Sequence, residues 1–89
     1  MKDIYLEVTY RRGQPFAAYL YLPRERGEKA SRSSRADGGM VVDFGAGGKP
    51  IGIELTAPDE VTLEALNRLL HDLGLPSLTA ADLAPLQAA

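Results

Sequence analysis

Four short stretches in which apolar and polar residues alternate, then one in which leucines recur every three or four residues, constrain this chain most. Alternation of period two buries one face of a strand, and spacing of three and four buries one stripe of a helix. Residues 3–11 set Ile4, Leu6, Val8 and Tyr10 on one face and Tyr5, Glu7, Thr9 and Arg11 on the other. After a turn at Arg12-Gly13-Gln14-Pro15, residues 16–22 set Phe16, Ala18, Leu20 and Leu22 inward, with Ala17, Tyr19 and Tyr21 outward. Residues 39–44 align Met40, Val42 and Phe44; residues 50–57 align Ile51, Ile53, Leu55 and Ala57, across a turn at Gly45-Ala46-Gly47-Gly48-Lys49. Such short connections suit antiparallel pairing, since parallel strands need a long crossover. The pattern predicts a four-stranded antiparallel β-meander.

Pro58-Asp59-Glu60 then opens a helix over 59–73, with Val61, Leu63, Leu66, Leu69, Leu70 and Leu73 as its apolar stripe. Proline suits the first turn and acids there favour the helix dipole. Gly74 ends the helix and Pro76 bars its resumption. About fifteen helical residues match the length of a seven-residue strand, so the helix covers one sheet face. The expected fold is α+β: one domain over 1–76, then a C-terminal tail over 77–89 with a short helix after Ser77-Leu78-Thr79. Between the hairpins, residues 23–38 show neither period and read as a long, mobile, basic loop.

With 45% hydrophobic and 25% charged residues, the chain has the makings of a folded core. It contains no cysteine, which excludes disulfides, thiolate catalysis and cysteine-bound zinc. Its apolar runs fall far short of the ~20 residues that cross a bilayer, and acids interrupt the N-terminus where a signal peptide needs an apolar run. A cytoplasmic protein without membrane attachment is expected. Charge is uneven: residues 24–35 carry five bases against two acids, and residues 36–89 carry two bases against eight acids.

The stretch from Gly39 to Ala57 resembles the bacterial and archaeal family catalogued as domain of unknown function 2283. That family's hairpin reads V-x-D-x-D-x-x-G-x-x-x-G-I-E-I/L, and Val41, Asp43, Gly48, Gly52, Ile53, Glu54 and Leu55 stand in its places. Ala18-Tyr19-Leu20-Tyr21-Leu22 is similar to its A-L-Y-I-x-L strand, so the resemblance covers roughly residues 4–57. The family's acidic turn is replaced by Arg11-Arg12-Gly13-Gln14. The resemblance carries no established activity; it implies a binding role, for some members that of an antitoxin-like partner.

No catalytic, cofactor-binding or metal-binding set is visible, and an enzyme is not expected. Asp43 and Glu54 are outward acids on adjacent strands; paired carboxylates bind cations, but an aspartate beside a turn more often satisfies turn amides. His71 is the only histidine, and no spacing supplies a second ligand. The glycine-rich turn lacks the G-x-x-x-x-G-K-[ST] spacing and the following helix of a phosphate loop. Ser31, Ser33 and Ser34 have no base nearby in sequence. Two surfaces remain. The outward Tyr5, Tyr19, Tyr21 and Val41 form an expected partner surface, for a homodimer or a small protein partner. Arg24, Arg26, Lys29, Arg32 and Arg35 are the candidate phosphate contacts of the alternative, a nucleic-acid-associated regulator. The interleaved glutamates, the lack of an aromatic in that loop and a pI near 5.3 weigh against the alternative.

Overall fold

The most apolar strands take the centre of the sheet and the most polar one takes an edge. The computed structural model describes residues 4–87; Asp3, expected to open the first strand, and the last two residues of the expected tail lie outside the described residues. Five strands, β1 (Tyr5–Arg11), β2 (Gln14–Tyr21), β3 (Arg32–Ala36), β4 (Met40–Phe44) and β5 (Pro50–Leu55), form one antiparallel sheet in the order β1-β2-β5-β4-β3. The α+β class is as expected, but the four-stranded meander is not. The chain leaves β2, crosses to the far edge to make β3, and returns through β4 so that β5 lies against β2. Ile51, Gly52, Ile53 and Leu55 are all buried, which central placement of β5 explains.

The additional strand lies inside the stretch expected to be a mobile loop. Arg-Ser-Ser-Arg-Ala shows no alternation, because an edge strand is half solvated and polar on both faces. Its pairing with β4, and the Ser31 N–H donated to the Phe44 carbonyl at 2.8 Å, still order it. The crossing segment before it is tethered too. The Glu28 carboxylate lies over Gly45, where a Cβ would collide with it, and meets Lys49 Nζ at 3.2 Å. A backbone hydrogen bond from Glu25, then Lys49, holds the Glu28 carboxyl below its ordinary pKa. The glycine-rich turn thus makes room for the crossing segment.

The β1–β2 hairpin closes through Arg12 and Gly13, both at positive φ (55° and 79°), the two-residue turn whose twist matches that of paired strands. The register slips between Thr9 and Tyr10, leaving Phe16 without an opposite residue. Phe16 was expected inward; at the bulge it is 54% exposed, with the Arg11 guanidinium 5.0 Å from its ring centre.

The helix also begins later than its sequence suggests. Pro58–Glu60 is a separate 3₁₀ turn, Val61 is extended, and α1 runs Leu63–Asp72. Thr62 caps it, its Oγ1 accepting the Ala65 N–H at 3.1 Å. At the other end the Gly74 N–H donates to the His71 carbonyl and the Leu75 N–H to the Leu70 carbonyl, a glycine-dependent Schellman closure. Leu66 and Leu70 are fully buried against Leu20, Met40, Val42, Ile53 and Leu55.

The tail completes the same core. A 3₁₀ turn at Ala80–Leu83 leads into α2 (Ala84–Gln87), and Leu83 and Leu86 join the core cluster. Asn67 on α1 secures it: its Nδ2 donates to the Leu78 carbonyl at 3.0 Å, and its Oδ1 accepts the Leu78 N–H at 2.7 Å. Tyr10 donates to the Pro85 carbonyl at 2.6 Å.

Candidate partner-binding surface

α1 and the tail contribute their buried leucines to one face of the sheet, and the opposite face is built by the outward residues of all five strands. The register aligns them in rows. One row runs Tyr5, Tyr21, Gly52, Asp43, Ser33; the next runs Glu7, Tyr19, Glu54, Val41, Arg35. Of the four residues expected to form a partner surface, the structure brings the three tyrosines into contact. The Tyr5 and Tyr21 rings stack at 4.5 Å with an interplanar angle of 13°, and Tyr19 meets Tyr21 edge-on at 4.7 Å. Val41 shares the face but sits two strands away from Tyr19.

Hydrogen bonds hold these rings. Tyr19 lies across Gly52 and donates to Asp43 Oδ2 at 2.8 Å; Ser33 Oγ donates to Asp43 Oδ1 at 2.6 Å. Asp43 therefore binds side chains from two other strands, β2 and β3, not turn amides as the sequence suggested. Glu54 stands in the neighbouring row opposite Val41, diagonal to Asp43 rather than directly across from it, because Asp43 faces Gly52. Tyr21 donates to Glu7 Oε1 at 3.2 Å. Burial, reinforced by the hydrogen bond to Asp43 and partly offset by Arg24, pushes the Tyr19 hydroxyl up to about 12. The Tyr21 hydroxyl is also raised, by burial first and the bond to Glu7 second.

Arg24 supplies the third side of the cluster. Its guanidinium donates to the Ile51 carbonyl, to the Glu28 carbonyl at 3.2 Å and to the Tyr19 hydroxyl at 3.2 Å. The same group lies 5.3 Å from the Tyr21 ring centre and 5.9 Å from that of Tyr19. Beside it, Tyr5, Tyr21, Arg24, Glu25, Arg26 and Gly27 line a cleft of about 380 Å³. Sequence reasoning missed Arg24's place here, counting it only among bases of a loop.

The five candidate phosphate contacts do not form one patch. Arg24 is engaged with the tyrosines, Arg26 and Lys29 are exposed on the crossing segment, and Arg32 and Arg35 face opposite sides of β3. Arg32 lies 4.2 Å over the Phe44 ring on the helix side, and Arg35 opposes Val41 on the open side. His71 is exposed in the last turn of α1, across the sheet from Ser33 and Asp43. Among the described residues no group of three or more His, Cys, Asp or Glu could hold a metal ion, and no helix is long and apolar enough to cross a membrane.

Fold and surface together define a small α+β module with one face of its antiparallel sheet closed by helices and the other carrying an ordered tyrosine cluster. No family model matches the chain, and neither a curated protein nor a solved structure matches it.

Proposed function

We propose that this protein is a non-enzymatic binding module of the cytoplasm whose open sheet face engages a second copy or a small protein partner. The observation that carries this reading is the Tyr5–Tyr21–Tyr19 cluster, packed ring to ring on the face opposite the core. Tyrosine suits interfaces because its ring buries area while its hydroxyl stays hydrogen-bonded. Here the rings are already ordered by Glu7, Asp43 and Arg24, so little side-chain freedom remains to be lost on association. A two-fold dimer is the commonest closed arrangement and needs no second gene product. The resemblance of the Gly39–Ala57 hairpin to a family with antitoxin-like members agrees with a partner role. Ser33 and Asp43 do touch, but with the only histidine on the far side of the sheet this pair has no imidazole to carry a proton.

The test is sedimentation equilibrium at tens of micromolar, on the wild type and on a Tyr5→Ser, Tyr21→Ser variant that leaves Tyr19 and Asp43 intact. A wild-type dimer that the variant converts to monomer supports the homodimer. A monomeric wild type removes it, and pull-down from the native host then compares wild type with variant for a lost partner. A dimer indifferent to the variant places the interface off this face.

A further inference from the structure

β3 ends the sheet on its side, and its outer backbone edge has no strand beside it among the described residues. Edge strands are guarded by shortness and charge, and β3 has both, but its charges share one sign. Arg32 and Arg35 flank Ser33 and Ser34, and all four are exposed. The helix face of the strand is uncovered as well. At the Ala36 end of β3, between the β3–β4 turn and α1, lies a groove of about 350 Å³. Ala36, Met40, Ala65 and Leu69 are its apolar wall and Asp37, Arg68 and Asp72 its charged lining, so the groove suits a partner's apolar residues, and the partner's acids belong on the Arg35 side.

We propose that β3 is a docking edge for an extended segment of another protein, which adds as a sixth strand with acidic side chains alternating with apolar ones. Strand addition satisfies the free backbone groups of the edge, and alternate side chains supply selectivity. The segment's acids meet Arg35 on the open face, while its apolar residues lie on the helix side, toward the groove at the Ala36 end of the strand. The charge on the edge selects against a second β3, because antiparallel self-pairing brings Arg32 and Arg35 of each copy close together. The edge lies at the far end of the sheet from the Tyr5–Tyr21 pair, with β5 and β4 between β2 and β3, so variants at the two places test the two surfaces separately.

The probe is a capped eight-residue peptide alternating glutamate and valine, compared with one alternating lysine and valine, titrated into isotope-labelled protein and followed by NMR. Binding of the acidic peptide should shift and protect amides across 32–36, shift the Ala65 and Leu69 methyl groups, and weaken with salt. Arg35→Glu, which leaves Arg32 on Phe44, should weaken it at least about fivefold; Arg32→Glu with Arg35→Glu should reverse the preference toward the lysine peptide. Equal binding of both peptides by the wild type would overturn the proposal. So would shifts confined to Tyr5, Tyr19 and Tyr21, or no binding at millimolar peptide. Self-association abolished by Arg35→Glu but untouched by Tyr5→Ser with Tyr21→Ser would also overturn it, naming β1 of a second copy, with its alternating Leu6, Glu7 and Val8, as the occupant.

Discussion

The Tyr19 phenol occupies the space that a side chain at residue 52 would need: a Cβ built on Gly52 would overlap its ring and hydroxyl. The glycine is therefore required by a neighbour in another strand, not by its own backbone, which is extended within β5. Gly52→Ala should destabilise the fold by roughly 1–3 kcal/mol, the usual cost of overpacking. In the double variant with Tyr19→Ala the alanine at residue 52 should cost much less. Urea unfolding of the four proteins in a double-mutant cycle measures the coupling.

Tyr19 should titrate apart from an ordinary tyrosine. Absorbance near 295 nm should show one phenol ionising at about 12. Asp43→Asn should bring it down without reaching the usual 10.0, because burial is the larger cause. The folded-state value is raised, so the neutral hydroxyl is the stabilised form. Its contribution is complete below pH 10 and is lost as pH rises from about 10 to about 12. Thermal melts across that window should fall more steeply for the wild type than for Tyr19→Phe.

Asn67 should control docking of the tail. Asn67→Ala leaves the Leu78 N–H and carbonyl without their partner, at a cost of about 1–3 kcal/mol. Hydrogen exchange should quicken at 78–86 well before it does in β5.

Arg12 holds a positive φ that L-residues with a long side chain adopt at a cost. Arg12→Asn gives the hairpin its preferred Asn-Gly turn and should raise stability by up to about 1 kcal/mol. Chemical denaturation checks this, and an unchanged or lower midpoint would contradict the turn assignment.

Leu70 and His71 are neighbours in sequence with opposite environments, one fully buried and one exposed. Leu70→Ala should cost roughly 2–5 kcal/mol. His71→Ala should stay within about 0.5 kcal/mol. Calorimetry of both variants separates the two.

Strand and helix identity was legible in the chain wherever one face is buried. Leu6 and Val8, Leu20 and Leu22, Met40 and Val42, Ile51 and Ile53, and Leu66 and Leu70 all report their face by spacing alone, because burial is periodic where an element is half covered. The tyrosine face followed from the same alternation. Partners across the sheet could not be read this way, because pairing order is a comparison between strands and not a property of any one of them. β3 escaped notice since its polar residues carry no period, and it exists only because β4 offers an edge to pair with. The β4–β5 register set Asp43 opposite Gly52, and the placement of β5 beside β2 let Tyr19 reach across that glycine to Asp43 and brought Arg24 to the Ile51 carbonyl. Local spacing thus determined the elements and their buried faces. Only the tertiary structure, through the competition of strands for the three interior positions of the sheet, decided which side chains meet on the open face.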